Sequence, residues 1–138
     1  MSYNILIVDD STAMRSIIGK TLRLSGLPLG EILQAKNGAE ALEVLEENWV
    51  DLALVDINMP VMDGETLINH VRENPDTEDL PIIVVSTEAS ETRIGSLLEK
   101  RVEFIHKPFA PEELREKIFT LTGAEHGTST ISSDDFDF

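Results

Sequence analysis

Cysteine is absent from this chain, basic residues are scarce, and long apolar runs are missing. Without cysteine there is no disulfide framework and no thiolate metal site. The opening Met1-Ser2-Tyr3-Asn4 lacks the basic stretch and apolar run of a secretory signal, so the cytoplasm is the expected compartment. Nothing approaches the roughly 20 consecutive apolar residues that cross a bilayer, and membrane insertion is not expected. Only 11 Lys and Arg stand against 26 Asp and Glu, a formal net charge of −15. Such a surface is repelled by nucleic acid and anionic lipid, which leaves proteins as the expected macromolecular partners. His70, His106 and His126 show no metal-ligand spacing, which argues against zinc or copper and leaves them surface or packing roles.

What is present is the pattern of one folded domain. Its 138 residues are 41% apolar, enough for a single core. Short β-branched runs at 5–8, 31–35, 51–55, 82–85 and 102–105 alternate with stretches of helical periodicity, giving five βα rounds. The first, third and fourth runs are apolar throughout, as in a parallel sheet covered by helices on both faces. Ser11 caps a first helix whose Met14, Ile17, Ile18, Leu22 and Leu24 are expected to face inward, with Gly26 as its stop. Asn37-Gly38 precedes a second helix carrying Ala41, Leu42 and Leu45, and Asp63-Gly64 opens a third that should end before Pro75. A fourth helix is expected over 90–99, and Pro111-Glu112-Glu113 forms the first turn of a fifth. Trp49 is expected to cover the apolar edge after the second helix. The domain therefore occupies 1–122. The remainder, 123–138, is small, polar and acidic, ends in Asp134-Asp135-Phe136-Asp137-Phe138, and reads as a flexible tail.

In a doubly wound sheet, ligands bind beyond the carboxyl ends of the strands. The first strand ends in Asp9-Asp10, the third in Asp56, the fourth in Ser86-Thr87, and the fifth runs into His106-Lys107-Pro108. Carboxylates brought this close repel one another unless a cation shares them, and Mg²⁺ suits a few carboxylates completed by water and phosphate oxygens. Phosphoryl transfer needs a nucleophile, cations on the equatorial oxygens, and donors for developing charge. Asp56 is the candidate nucleophile, Asp9 and Asp10 the metal ligands, Ser86 the hydroxyl donor and Lys107 the fixed positive charge.

The segments Ile5-Leu6-Ile7-Val8-Asp9-Asp10-Ser11, Val55-Asp56-Ile57-Asn58-Met59-Pro60-Val61-Met62-Asp63-Gly64 and Lys107-Pro108-Phe109 resemble the receiver domain of two-component response regulators. The match covers about residues 2–121. The Asp-Asp-Ser-Thr-Ala-Met-Arg opening is similar to the single-domain chemotaxis regulators. The resemblance implies a flavodoxin-like, doubly wound α/β fold with five parallel strands in the order 2-1-3-4-5. It implies Asp56 as phosphoacceptor, Asp10 and Asp56 as direct Mg²⁺ ligands, Asp9 acting through water, and the backbone carbonyl of Asn58 as a further ligand. Ser86 and Phe104 become a switch pair, Lys107 the family's lysine, and the Lys107-Pro108 bond a candidate for cis geometry. Thr87 and Glu88 border the path to the phosphoryl group.

The same resemblance implies a histidine kinase as phosphodonor and a protein target such as a flagellar motor switch or a phosphatase, with the chain acting as a monomer. It implies a switch that catalyses its own phosphoryl transfer and dephosphorylation rather than a conventional enzyme. Departures are Thr87, where relatives carry a smaller residue, Phe104 in place of tyrosine, and Lys100-Arg101-Val102 in place of a small-residue turn. A phosphorelay carrier fits the same residues. An aspartyl-phosphate phosphatase would need an aspartate where Asn58 stands, and an FMN module would not place Asp9-Asp10 against a phosphate.

Overall fold

The computed structural model describes residues 2–88 and 90–122; the expected tail at 123–138, including His126, lies outside them. Ten elements alternate: β1 Tyr3–Val8, α1 Thr12–Leu24, β2 Leu29–Ala35, α2 Gly38–Glu47, β3 Leu52–Val55, α3 Gly64–Glu73, β4 Ile82–Ser86, α4 Glu91–Leu98, β5 Glu103–His106 and α5 Pro111–Thr122. The strands are parallel in the order β2-β1-β3-β4-β5. Both the fold and the strand order expected from the sequence are observed, with strand ends shifted by a residue or two. Strand β1 starts early because Tyr3 pairs with Leu29 across an irregularity before Ile5.

Alternation along the strands divides the core in two. Leu6, Val8, Ala53, Val55, Ile82 and Val84 pack with Ala41, Leu67, Ile68, Val71 and Leu97, beneath α2, α3 and α4. Ile5, Ile7, Leu52, Leu54, Ile83 and Val85 pack with Ile18, Leu22, Leu114 and Ile118, beneath α1 and α5. With both faces covered, β1, β3 and β4 could only be apolar runs.

The caps agree with the residues expected to supply them. Ser11, Asn37, Asp63 and Ser90 each accept the backbone N–H three residues on. Gly26 takes φ +83° just past α1, a conformation that favours glycine.

Two expectations about apolar side chains fail. Ile17 and Leu24 are 52% and 77% exposed, because they lie seven residues apart on a flank of α1 that the sheet does not reach. Trp49 is 73% exposed, and its indole N–H donates to Asp51 Oδ1 at 2.9 Å in a water-facing turn. The Lys100-Arg101-Val102 turn departs from a small-residue sequence yet is well defined. Arg101 takes φ +65°, and Arg72 donates to the carbonyls of both Lys100 and Arg101.

Candidate functional site

The sheet order reverses between β1 and β3, and the backbone there sets the site. Asp56 N–H donates to Val8 O at 2.9 Å, which lays the residue after β3 alongside the end of β1. Lys107 N–H donates to Ser86 O at 3.0 Å and aligns the ends of β5 and β4 in the same way. A Cβ on Gly64 would run into the carbonyl of Asp56, so only glycine lets α3 begin this close to the acid.

The predicted carboxylates do converge. Asp9, Asp10 and Asp56 each place a carboxylate oxygen within 4.8 Å of the others'. Asp9 is buried and both its oxygens are engaged: Oδ1 accepts from Ser11 N–H at 2.9 Å and Oδ2 from Lys107 Nζ at 2.9 Å. Lys107 Nζ lies 3.9 Å from Asp56 Oδ1, with little solvent access to either side chain. Asp56 Oδ1 also accepts from Ile57 N–H at 2.8 Å. Asp10 is exposed, so the cluster opens toward solvent on its side.

Desolvation pushes the Asp56 carboxyl above its ordinary value, and Asp9 and Asp10 push it further, while Lys107 and the Ile57 N–H pull it back. A carboxylate that resists ionisation beside two others is a site short of positive charge. The donor set is all oxygen, partly open to water, and could hold one hard divalent cation.

The remaining expected residues surround this cluster. Ser86 is fully buried; its Oγ accepts from Glu88 N–H at 3.1 Å, and among the described residues nothing accepts its own proton. Thr87 is exposed, and Glu88 is half-buried. Phe104 is half-buried against the first core, with its ring edge-on to His106 at 4.8 Å. Asn58 is exposed in the loop after β3, and its carbonyl accepts no backbone hydrogen bond among the described residues. The Lys107-Pro108 bond is cis. Met59 and Met62 pack against the first core. His70 is exposed on α3.

The family described as the response regulator receiver domain matches residues 5–119 of this chain. The chain belongs to the receiver domain family. A chemotaxis protein CheY homolog of Campylobacter jejuni is 39% identical over 125 residues, covering 89% of this chain and 95% of that protein. Chemotaxis protein CheY1 of Helicobacter pylori is 39% identical over 121 residues, covering 86% of this chain and 96% of that protein. The solved structure of CheY4 of Vibrio cholerae superposes with a TM-score of 0.78 at 30% identity, covering 88% of this receiver domain chain and 99% of the other.

Sequence reasoning gave no role to Arg15, which the receiver fold uses. Its Nη1 donates to Asp9 O at 2.7 Å and its Nε to Gln34 Oε1 at 2.9 Å, tying the loop after β1 to α1 and β2. The available signal was its place in the first turns of α1, from which a long side chain leans back over the preceding loop.

Proposed function

We propose that this receiver domain is a phosphorylation-dependent signalling switch, with Asp56 accepting a phosphoryl group from the phosphohistidine of a histidine kinase and the altered surface read by a protein target. The observation that carries this is Lys107 Nζ, 2.9 Å from Asp9 and 3.9 Å from Asp56, beside three converging carboxylates. Two acids share this one cation. It stands between a buried acid and an acid that burial has made reluctant to ionise.

In the proposed step, an Asp56 carboxylate oxygen bonds to phosphorus as the P–N bond breaks, and the departing imidazole takes up a proton from water. Lys107 sits where it can donate to an oxygen of the acyl phosphate. Ser86 offers a hydroxyl proton that nothing accepts among the described residues. That donation links the acceptor to β4 and, through β5, to Phe104, the proposed switch pair. Asp10 and Asp56 are the carboxylates with oxygens to spare for direct metal contact, whereas Asp9, engaged at both oxygens, would act through water; the Asn58 carbonyl completes the set. Mg²⁺ held there would neutralise charge on the equatorial oxygens of the transferring group.

The pathway we assign is chemotaxis, supported by near-full-length relatives of that name. The receiver, over 1–122, would act as a cytoplasmic monomer between a histidine kinase and a protein target such as a flagellar motor switch or a phosphatase. The test is direct. Acetyl phosphate with Mg²⁺ should add one phosphoryl group to the intact chain by mass, and Asp56→Asn should take up none. An undiminished adduct on Asp56→Asn would move the acceptor elsewhere.

A further inference from the structure

A second cation, Arg93, plays no part in the chemistry just described. It belongs to α4, and two ion pairs reach from it to neighbouring elements: Nη2 to Glu65 Oε1 on α3 and Nη1 to Glu88 Oε1 after β4, each 3.8 Å. Neither contact is short enough to be a hydrogen bond. Its Nε is buried and has no hydrogen-bond partner among the described residues. The guanidinium is thus held by charge alone, unlike Glu88, whose Oε2 also accepts from Ser90 N–H at 3.1 Å. Asp63 feels the same charge: its carboxyl is drawn below the ordinary value, first by the Thr66 N–H it caps and also by Arg93.

One positive charge therefore answers three carboxylates, Asp63, Glu65 and Glu88, on the flank where α3 and α4 begin. The crevice next to them already holds Asp9, Asp10 and Asp56. A small phosphodonor such as acetyl phosphate is itself a dianion, and it must approach through this field.

We infer that Arg93 is a specificity-determining residue for anionic phosphodonors: by neutralising Glu65 and Glu88 beside the crevice, it sets how readily a small anion reaches Asp56. This rests on the phosphoacceptor reading above. Counting the two paired carboxylates and the guanidinium, the flank carries −1; Arg93→Gln makes it −2, and the triple variant Arg93→Gln, Glu65→Gln, Glu88→Gln makes it 0. An extra unit charge on the order of 10 Å from a dianion in water-like dielectric slows its arrival about fourfold at low salt. Water is neutral, so hydrolysis of the acyl phosphate is not subject to this field.

The experiment uses the full chain and acetyl phosphate with Mg²⁺, reading initial uptake by intact mass, then decay of the label after the donor is removed. Arg93→Gln should slow uptake about fourfold at low ionic strength, with the gap closing near 1 M salt where the screening length falls to about 3 Å. Arg93→Lys should stay within about twofold of wild type, and the triple variant should match or exceed it, since only charge is at issue. Decay of the label should be the same in wild type and Arg93→Gln. Uptake by Arg93→Gln equal to wild type, a gap that persists at high salt, or an Arg93→Lys as slow as Arg93→Gln would each overturn the inference while leaving the acceptor intact. Wild type that takes no label, or Asp56→Asn that takes it equally, would overturn the acceptor reading and this one with it.

Discussion

Lys107 and Arg72 are both long cations drawn partly out of solvent, at opposite ends of the sheet, and they are satisfied by different chemistry. Lys107 faces carboxylates, Asp9 at 2.9 Å and Asp56 at 3.9 Å. Arg72 faces carbonyls: Nε donates to Lys100 O at 3.0 Å, Nη1 to Glu78 O at 3.1 Å and Leu80 O at 2.8 Å, and Nη2 to Arg101 O at 2.9 Å. Burial, and then Arg101, draws the Arg72 guanidinium below its usual value, with only Asp79 in opposition. Carbonyls do not titrate, bind phosphate or change partners, so Arg72 acts as a fastener between the turn before β4 and the turn before β5. A carboxylate can be ionised, metal-bound or phosphorylated, and a cation placed against one can exchange partners. The two ends of the sheet thus separate what holds the fold from what the fold is for.

The sharpest way to break this contrast is to remove each cation in turn. Arg72→Ala removes four hydrogen bonds and strands partly buried carbonyls, and should cost about 3 kcal/mol, roughly 10 °C in melting temperature. Millimolar Mg²⁺ should raise the melting temperatures of that variant and of wild type alike, and Asp56 should still take up label well below the transition. A urea-derived loss under about 1 kcal/mol would mean that water satisfies those carbonyls equally well.

Lys107→Ala should cost less, about 2 kcal/mol, the loss of a charged hydrogen bond to Asp9 from a cation that keeps some solvent access. Unlike the loss at Arg72, this one should be largely recovered by Mg²⁺, because a divalent cation relieves the repulsion among the site's carboxylates. Uptake of label from acetyl phosphate should fall sharply in the variant even with the metal present. Equal destabilisation with and without Mg²⁺ would place Lys107 with the fasteners.

Asp63 sharpens the comparison on the functional end, where a single carboxylate both caps α3 and lines the flank. Its Oδ1 accepts from Thr66 N–H at 2.9 Å, and Asp63→Ala should cost about 1 kcal/mol. Its folded value lies below the unfolded one, so the ionised carboxylate stabilises the native state. The contribution is complete above the unfolded value near 3.9 and is lost as pH falls through the depressed folded value. Urea titrations of wild type and variant should therefore differ at pH 7 and converge in acid; a constant difference would show that the cap does not depend on ionisation.

The strand runs and caps were legible because each is a local pattern: β-branched apolar runs, and Ser, Asn or Asp placed before a helix. The acids of the site were legible because each follows a strand directly, and Asp9, Asp10 and Asp56 do meet. Ile17 and Leu24 misled because helical spacing says which residues share a face and not which face the sheet covers. Trp49 misled because an indole can turn its N–H to a neighbouring carboxylate and leave its ring in water. Arg72 and Arg93 carried no local signal, since an arginine on a helix reads as a solvated charge wherever its partners are distant in the chain, and Arg15 carried only its place in the first turns of α1.

By itself, then, the sequence determined the alternation of strands and helices, the identity of the acids at the strand ends and the likeness of its motifs to receiver domains, because these follow from near-neighbour periodicity and residue type. Only the tertiary structure decided that Asp9 is engaged at both oxygens while Asp56 is destabilised as an anion, that Lys107 bridges them across 98 residues, and which arginines meet carbonyls and which meet carboxylates. Those outcomes depend on distance and desolvation between elements remote in the chain, and both come into being only when the sheet assembles.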